Sequence, residues 1–330
     1  MNFVELVKKR FQEKSVVVVG DLVADQFLRG TISRVSREAP VFILRHDETE
    51  TLAGGAANAA TNIASLGAKA ILIGTVGNDS SGRDLMRRLD ESRVDRSRVI
   101  AIEGRATTTK VRVLAGQHYA ARQQVIRIDY ENQAPLDSEV SNTIRRSLEK
   151  ACQNADAVII SDYHYGAADT ETGRIAIEAA HRLRIPVIVD SRFRLTDFPG
   201  ATTATPNQDE VEQILGADYS ESDCAGLCER LGFQALLVTR GNQGMLLAEK
   251  GLAPRSLDAV GSKEPVDVTG AGDTVIAVYA LGLACGLSFA DSATLANHAG
   301  GIVVMKKGTA SVTPDELLGS LNSGEQSAAV

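Results

Sequence analysis

Val16-Val17-Val18-Val19-Gly20-Asp21 sets the rhythm of this chain: a short β-branched run closed by a small residue and an acid. Similar runs return at Ala70–Ile73 before Gly74, Ala157–Ile160 before Ser161-Asp162, Val187–Val189 before Asp190, and Ala235–Val238 before Thr239-Arg240-Gly241. Continuous apolar runs separated by longer helical patterns are what parallel strands buried on both faces look like. The expected fold class is therefore α/β, with an open parallel sheet. Such sheets hold their ligands beyond the carboxyl ends of the strands, so Asp21, Asp162, Asp190 and Thr239 should share one edge. A single acid there could be only a helix cap; three acids and a threonine on one edge argue for a cleft.

A second stretch speaks to chemistry. Asp267-Val268-Thr269-Gly270-Ala271-Gly272-Asp273 leads into the apolar run Thr274–Cys285. Small residues at a helix start let the N–H groups of Gly270, Ala271 and Gly272 approach a phosphate closely, as an anion hole. Asp273, one step further, is placed to take a proton from an attacking hydroxyl. Together these point to phosphoryl transfer. No Lys-Ser or Lys-Thr follows the glycines, so the loop is not a Walker A motif. The alternative is a glycine-rich turn in which Asp273 only satisfies helix-start amides.

Two stretches break the strand–helix rhythm. Arg29–Glu50 alternates polar and apolar positions around Val41 and Ile43, before a helix starting near Gly55. Thr107–Asp129 reads as a hairpin: Lys110–Leu114, a turn through Ala115–Ala120, then Gln123–Ile128. Exposed strands of this kind would form a separate small sheet over the cleft, a lid that excludes water during transfer. The expected organisation is one domain over 1–330, with lid segments at about 27–52 and 106–130. An apolar face on the lid would invite dimerisation. Further on, Ser288 and Asp291 suit a helix cap and Gly308 a helix stop. Asn297, Gly300 and Gly301 between them offer a small-residue face for a purine, or simply for close helix packing.

Composition bounds the partners. The 330 residues are 44% hydrophobic and 23% charged, enough to bury a sizeable core. Aromatics make up 4%, with no Trp, and the net charge is -7, so neither base-stacking platforms nor broad polyanion binding is expected. No nucleic-acid partner is expected. The apolar run after the N-terminal helix pattern Met1–Gln12 is too short for a signal or membrane span, so a cytoplasmic protein is expected. Cys152, Cys224, Cys228 and Cys285 lack the spacing of a zinc site and read as reduced thiols. The low-complexity end, Asn322–Val330, reads as a frayed tail.

The loop at 267–273 and the segment Gly54-Gly55-Ala56-Ala57-Asn58 together resemble the ribokinase-like (PfkB) carbohydrate kinases, in the same order along the chain. Several segments are similar, more narrowly, to the kinase domain of bacterial D-glycero-D-manno-heptose-7-phosphate kinases. These include Ser33-Arg34-Val35-Ser36-Arg37-Glu38-Ala39-Pro40, Thr109–Leu114, Ser161-Asp162-Tyr163, Thr205-Pro206-Asn207 and Gly308-Thr309. The likeness covers about residues 10–318. It implies a three-layer α/β/α core with a small β-sheet lid, magnesium-ATP as donor, and transfer to a sugar hydroxyl. In the heptose branch the acceptor is the anomeric hydroxyl of the 7-phosphate, and the product feeds lipopolysaccharide core synthesis. Many relatives carry a second, nucleotidyl-transferring domain; a chain of 330 residues resembles the monofunctional form.

The resemblance also implies roles. Asp273 matches the base and Gly270–Gly272 the anion hole. In Asn207-Gln208-Asp209-Glu210, Glu210 matches the acid that holds magnesium through water, although an Asn and a Glu at this spacing are also a helix cap with its partner. Thr239, Gly241 and Gly244 match the turn along the nucleotide, with Asn297 in its pocket. Asp267, Thr269 and Ser311 fall where some relatives hold a monovalent cation such as potassium. Asp21, Asp25, Gly54, Gly55 and Asn58 match sugar-binding positions, with Asp162 and Asp190 on the same edge. Lys110, Arg112, Arg122 and Arg192 are the candidate cations for a substrate phosphate. Two departures bear on the sugar: Tyr165 stands where heptose kinases commonly have lysine, and Ser191-Arg192 where they have Pro-Lys. Fructose phosphate, ribose, or a non-catalytic sugar-phosphate sensor are the alternatives.

Overall fold

The computed structural model describes residues 3–116, 122–132, 134–262 and 264–327. Most of the turn read through Ala115–Ala120 lies outside them, as do the last three residues of the tail. The N-terminal pattern is helical from α1 (Phe3–Glu5) through two irregular turns to Glu13, burying Leu6, Val7 and Phe11. There follow β1 (Ser15–Gly20), β2 (Leu22–Val35), β3 (Phe42–Gly55), α2 (Ala56–Ser65), β4 (Lys69–Gly77), α3 (Ser80–Glu91), β5 (Asp95–Ile102), β6 (Thr109–Gly116) and β7 (Gln123–Tyr130). The middle of the chain holds α4 (Ser138–Cys152), β8 (Ala157–Asp162), α5 (Thr170–Leu183), β9 (Val187–Ser191), β10 (Thr203–Ala204), α6 (Gln208–Leu215) and α7 (Glu221–Arg230). The last part comprises β11 (Ala235–Thr239), β12 (Met245–Glu249), β13 (Arg255–Leu257), α8 (Ala271–Ala284), α9 (Phe289–Val303) and α10 (Pro314–Ser327).

The main sheet runs in the order β13-β12-β11-β10-β9-β8-β1-β4-β5, parallel from β11 through β5 and antiparallel at β12 and β13. Chain order runs outward from β1 through β4 and β5 on one side and from β8 through β9 on the other. The switch point therefore falls between β1 and β8, beside Asp21 and Asp162. Every side chain of Val16–Val19 is fully buried because helices cover both faces. Val16 and Val18 join the cluster built on α2, α8 and α9, whereas Val17 and Val19 join the one built on α4, α5 and α7. Each such side chain contributes about 1.5 kcal/mol or more. α8 is apolar on all sides and buried almost throughout, as a helix in the middle of a core must be.

Four strands form a second sheet, ordered β3-β2-β6-β7. β2 and β3 pair antiparallel, β2 and β6 parallel, and β6 and β7 antiparallel. This is the lid, and the α/β fold with a β-sheet lid is the expected one. Short strands escape the sequence: β10 has two residues, and β12 and β13 continue the sheet as an antiparallel meander. The tail differs from its reading, since α10 stays helical to Ser327. Its Leu317, Leu318 and Leu321 bury against the core, which gives the helix a tertiary reason to persist.

Candidate active site

Asp273 lies in the first turn of α8, at the floor of a cavity of about 250 Å³. Asn58 donates to its Oδ2 at 2.9 Å and the Tyr163 hydroxyl to its Oδ1 at 2.9 Å. Burial pushes the carboxyl up to about 7, with those two donors opposing the rise. Each oxygen keeps a further lone pair, so the group can still accept a proton. Around it, among the described residues, the N–H groups of Gly270, Gly272 and Asp273 have no protein acceptor, whereas that of Ala271 donates to the Val268 carbonyl at 3.3 Å. The left-handed backbone of Gly270 (φ +77°) makes this turn, and a Cβ there would lie 2.4 Å from the Asn58 amide nitrogen.

The same cavity gathers Asp190, Glu210, Asn207, Thr205 and Arg192. Asn207 and Glu210 form a reciprocal cap at the start of α6, with both bonds at 2.9 Å, so the cap and the cavity wall are one feature. Burial pushes Glu210 up to about 6, opposed by the Asn207 bonds. Asp190 rises well above the carboxylate range through burial and the acids Glu210, Asp273 and Asp162. Asp162 lines the same cavity but is already paired. Arg194 grips it at 2.5 and 3.2 Å, and the Ser191 hydroxyl donates to it at 2.7 Å. Ser191 thus anchors Asp162, and Arg194 neutralises it.

A second cavity, of about 180 Å³, lies beside the first and is lined by Gly241, Gly244, Asn297, Gly300 and Gly301. Both cavities are bounded by Thr239 and Gly272, so they meet at the open amides. Gly244 (φ +84°) is required there, since a Cβ would lie 2.0 Å from the Leu257 carbonyl. A Cβ on Gly301 would lie 2.3 Å from the Val260 carbonyl, so close packing does explain that glycine, even though it also lines the cavity. Asn297 holds the Asp258 carbonyl at 2.7 Å.

On the lid side, Asp25 and Arg112 form a buried ion pair. Burial raises the Asp25 carboxyl despite Arg112. Gly54 lets that carboxylate approach, because a Cβ would sit 2.6 Å from its Oδ2. Asp21 accepts three backbone N–H bonds, from Tyr163, Tyr165 and Ala167, each at 2.9 Å, and so shapes the loop after β8. Gly55 (φ +58°) turns the chain against the Asp21 carbonyl. Lys110 is buried with its ammonium 5.7 Å from the Tyr163 ring centre, and burial together with Arg192 lowers its pKa. Arg122 stands apart, paired with Asp47 at 2.7 Å in a larger cleft under the lid. Asp267 accepts from the N–H groups of Thr269 at 3.0 Å and Gly308 at 2.9 Å. The Ser311 carbonyl is held by the Lys306 ammonium at 2.8 Å. Sequence reasoning passed over Tyr163 and Arg194: an aromatic and a cation in loops carry no periodicity, and only the Ser-Asp-Tyr likeness marked the first.

A parallel-sheet edge with a carboxylate beside unpaired helix-start amides, under a β lid, defines an α/β carbohydrate kinase. This chain belongs to the pfkB family of carbohydrate kinases, whose pattern matches residues 13–316. It is 39% identical over 324 residues to the bifunctional protein HldE of Caulobacter vibrioides, covering 96% of this chain and 65% of that protein. It is 41% identical over 314 residues to the bifunctional protein HldE of Edwardsiella ictaluri, covering 93% and 63%. The chain thus spans slightly less than two thirds of these relatives. Among solved structures, a putative ribokinase from Agrobacterium tumefaciens superposes with TM-score 0.77 at 21% identity, covering 95% of this chain and 99% of that one. Arabidopsis thaliana ribokinase, complexed with ribose and ATP, gives 0.70 at 22% identity, covering 93% and 98%. These structures share its fold.

Proposed function

We propose that this chain transfers a phosphoryl group from ATP to the anomeric hydroxyl of D-glycero-D-manno-heptose 7-phosphate. The product would be the 1,7-bisphosphate used for ADP-heptose and lipopolysaccharide core synthesis. One observation carries the kinase chemistry: a glycine-lined cavity and an acidic cavity meet at Gly272, with Asp273 and three unpaired amides at the junction. The heptose assignment draws on the likeness of 33–40, 109–114 and 161–163 to heptose kinases and on the similarity to HldE proteins.

In this reading Asp273 takes the proton from the attacking hydroxyl, and the amides of Gly270, Gly272 and Asp273 stabilise the charge on the moving group. Lys110 and Arg192 supply cations for the substrate phosphate, Asp25 orients the sugar, and Asn58 orients Asp273. Gly241, Gly244 and Asn297 border the nucleotide. Magnesium, when bound, neutralises phosphate charge. Asp190 and Glu210, which line the same cavity, suit it, because magnesium takes one or two carboxylates together with waters and phosphates. Potassium near Asp267, Thr269 and Ser311 fits less well, because Lys306 already holds the Ser311 carbonyl. We read the chain as one kinase domain with an inserted lid, cytoplasmic, and dimeric through the lid. Among the described residues no helix is long and apolar enough to cross a membrane.

The test is a panel of sugar phosphates incubated with ATP, with products read by mass spectrometry. The reading expects heptose 1,7-bisphosphate above all other products. Preferred turnover of a fructose phosphate or ribose would displace the heptose and keep the kinase. Binding without turnover would replace it by a sensor.

A further inference from the structure

We propose that Tyr163 is the positioning residue of the base and the joint through which the lid cation reaches it. Its hydroxyl donates to Asp273 Oδ1 at 2.9 Å while its ring lies under the Lys110 ammonium of β6, 5.7 Å from the centroid. The inference rests on Asp273 being the base. Both ends of Tyr163 are fixed. Its N–H donates to Asp21 Oδ2 at 2.9 Å, and its ring edge packs so closely on Gly55 that a Cβ there would lie 3.3 Å from Cε2. The buried Asp21 thereby acquires a purpose, since it holds the loop that carries Tyr163.

A carboxylate alone in a turn can swing about its side-chain torsion. With Asn58 on one oxygen and Tyr163 on the other, rotation breaks both bonds, so the reactive lone pairs keep one direction. The hydroxyl bond also favours the charged form of Asp273 against its burial. A cation over a ring face draws on the ring's electrons, which makes the phenol a better donor. Lys110 reaches that position from the lid, so seating of the lid and readiness of the base are linked through one ring. The groups facing Asp273 are Tyr163 after β8, Asn58 on α2, Asp25 on β2, Lys110 on β6 and Asp190 on β9.

The test compares wild type, Tyr163→Phe and Tyr163→Leu, each confirmed as folded by thermal unfolding. Turnover of heptose 7-phosphate with ATP is followed against pH, and the Asp273 carboxyl is titrated by carbon NMR in the substrate-free protein. Phe keeps the ring and loses the donor. The expectation is a kcat about tenfold lower near neutrality, an acidic limb moved to higher pH, and acceptor KM within about twofold of wild type. Leu should add a rise in acceptor KM, because the platform for Lys110 goes as well. The carboxyl titration should move upward in Tyr163→Phe whether or not the heptose is turned over, which separates this inference from the substrate assignment. A kcat lowered equally at every pH with an unmoved titration, or wild-type kinetics in Tyr163→Phe, would overturn it.

Discussion

Asn58 donates its side-chain amide to Asp273 Oδ2 at 2.9 Å and to the Gly270 carbonyl at 3.2 Å, so the two glycine-rich segments of the chain meet at one carboxylate. The contact spans 215 positions. Its carbonyl end is fixed in turn, accepting from Asn62 at 3.1 Å. Replacing Asn58 by Asp would set a second carboxylate against the first. Like charges raise each other's pKa, so the acidic limb of kcat in Asn58→Asp should move to higher pH. An unmoved limb in the pH profile would count against the contact.

Removing the base itself is the sharper experiment. Asp273→Asn keeps the shape of the site, since its carbonyl can accept from Asn58 and its amide can donate to the Tyr163 oxygen. kcat should fall roughly 10²–10⁴-fold, the range for a positioned base, while ATP binding measured by calorimetry stays close to wild type. Near-normal turnover would end the role given to Asp273.

The same residue makes a stability prediction with a definite sign. Its folded pKa, about 7, lies above the ordinary value of 3.8. Between those two values the folded state binds more protons than the unfolded one, so wild-type stability declines as pH rises through the window. Asp273→Asn has no such proton to lose. Its melting temperature relative to wild type should therefore be higher at pH 8 than at pH 4. A difference independent of pH would contradict the raised carboxyl.

Much of the core was legible because its physics is local. The run Val16–Val19 reads as a strand buried on both faces, and the small or acidic residue ending each run marked the sheet edge. The cleft was legible for the same reason. What escaped depends on distant partners. Nothing near Asp162 announces that Arg194 will neutralise it, and nothing near Asp21 shows that its oxygens will be filled by three N–H groups of the loop 163–167. Arg122 read as a phosphate cation because it was placed on the hairpin strand facing Lys110 and Arg112, but it precedes β7 and pairs with Asp47 across the lid. Carboxylate partnerships are set by tertiary contacts, and a sequence lists carboxylates without their partners.

Asp25 and Arg112 give a prediction of stability rather than catalysis. The pair is buried, with side-chain exposures of 6% and 11%. Arg112→Met would leave the acid buried and unpaired, a change that costs about 3–5 kcal/mol, whereas removing both charges is far milder. The double variant Asp25→Asn/Arg112→Met should therefore be more stable to denaturant than Arg112→Met alone. If the second substitution gave no recovery, the two groups would not be energetically coupled.

The proposed dimer can be argued from strand parity. On β6, Lys110 and Arg112 face the site, so Val111 and Val113 face the other way, and the register pairs them with Ile128 and Ile126 of β7. Ile126, Ile128 and Tyr130 are 53%, 43% and 55% exposed, an apolar row on an edge strand. Such a row on a free sheet edge is a surface for pairing, and a second lid is the partner proposed here. Light scattering on a sizing column should give twice the chain mass for wild type and the single mass for Ile126→Glu/Ile128→Glu. The variant's fold should survive, because both positions are on the surface. A monomeric wild type at micromolar concentration, or a dimer untouched by the two charges, would remove the lid from the interface.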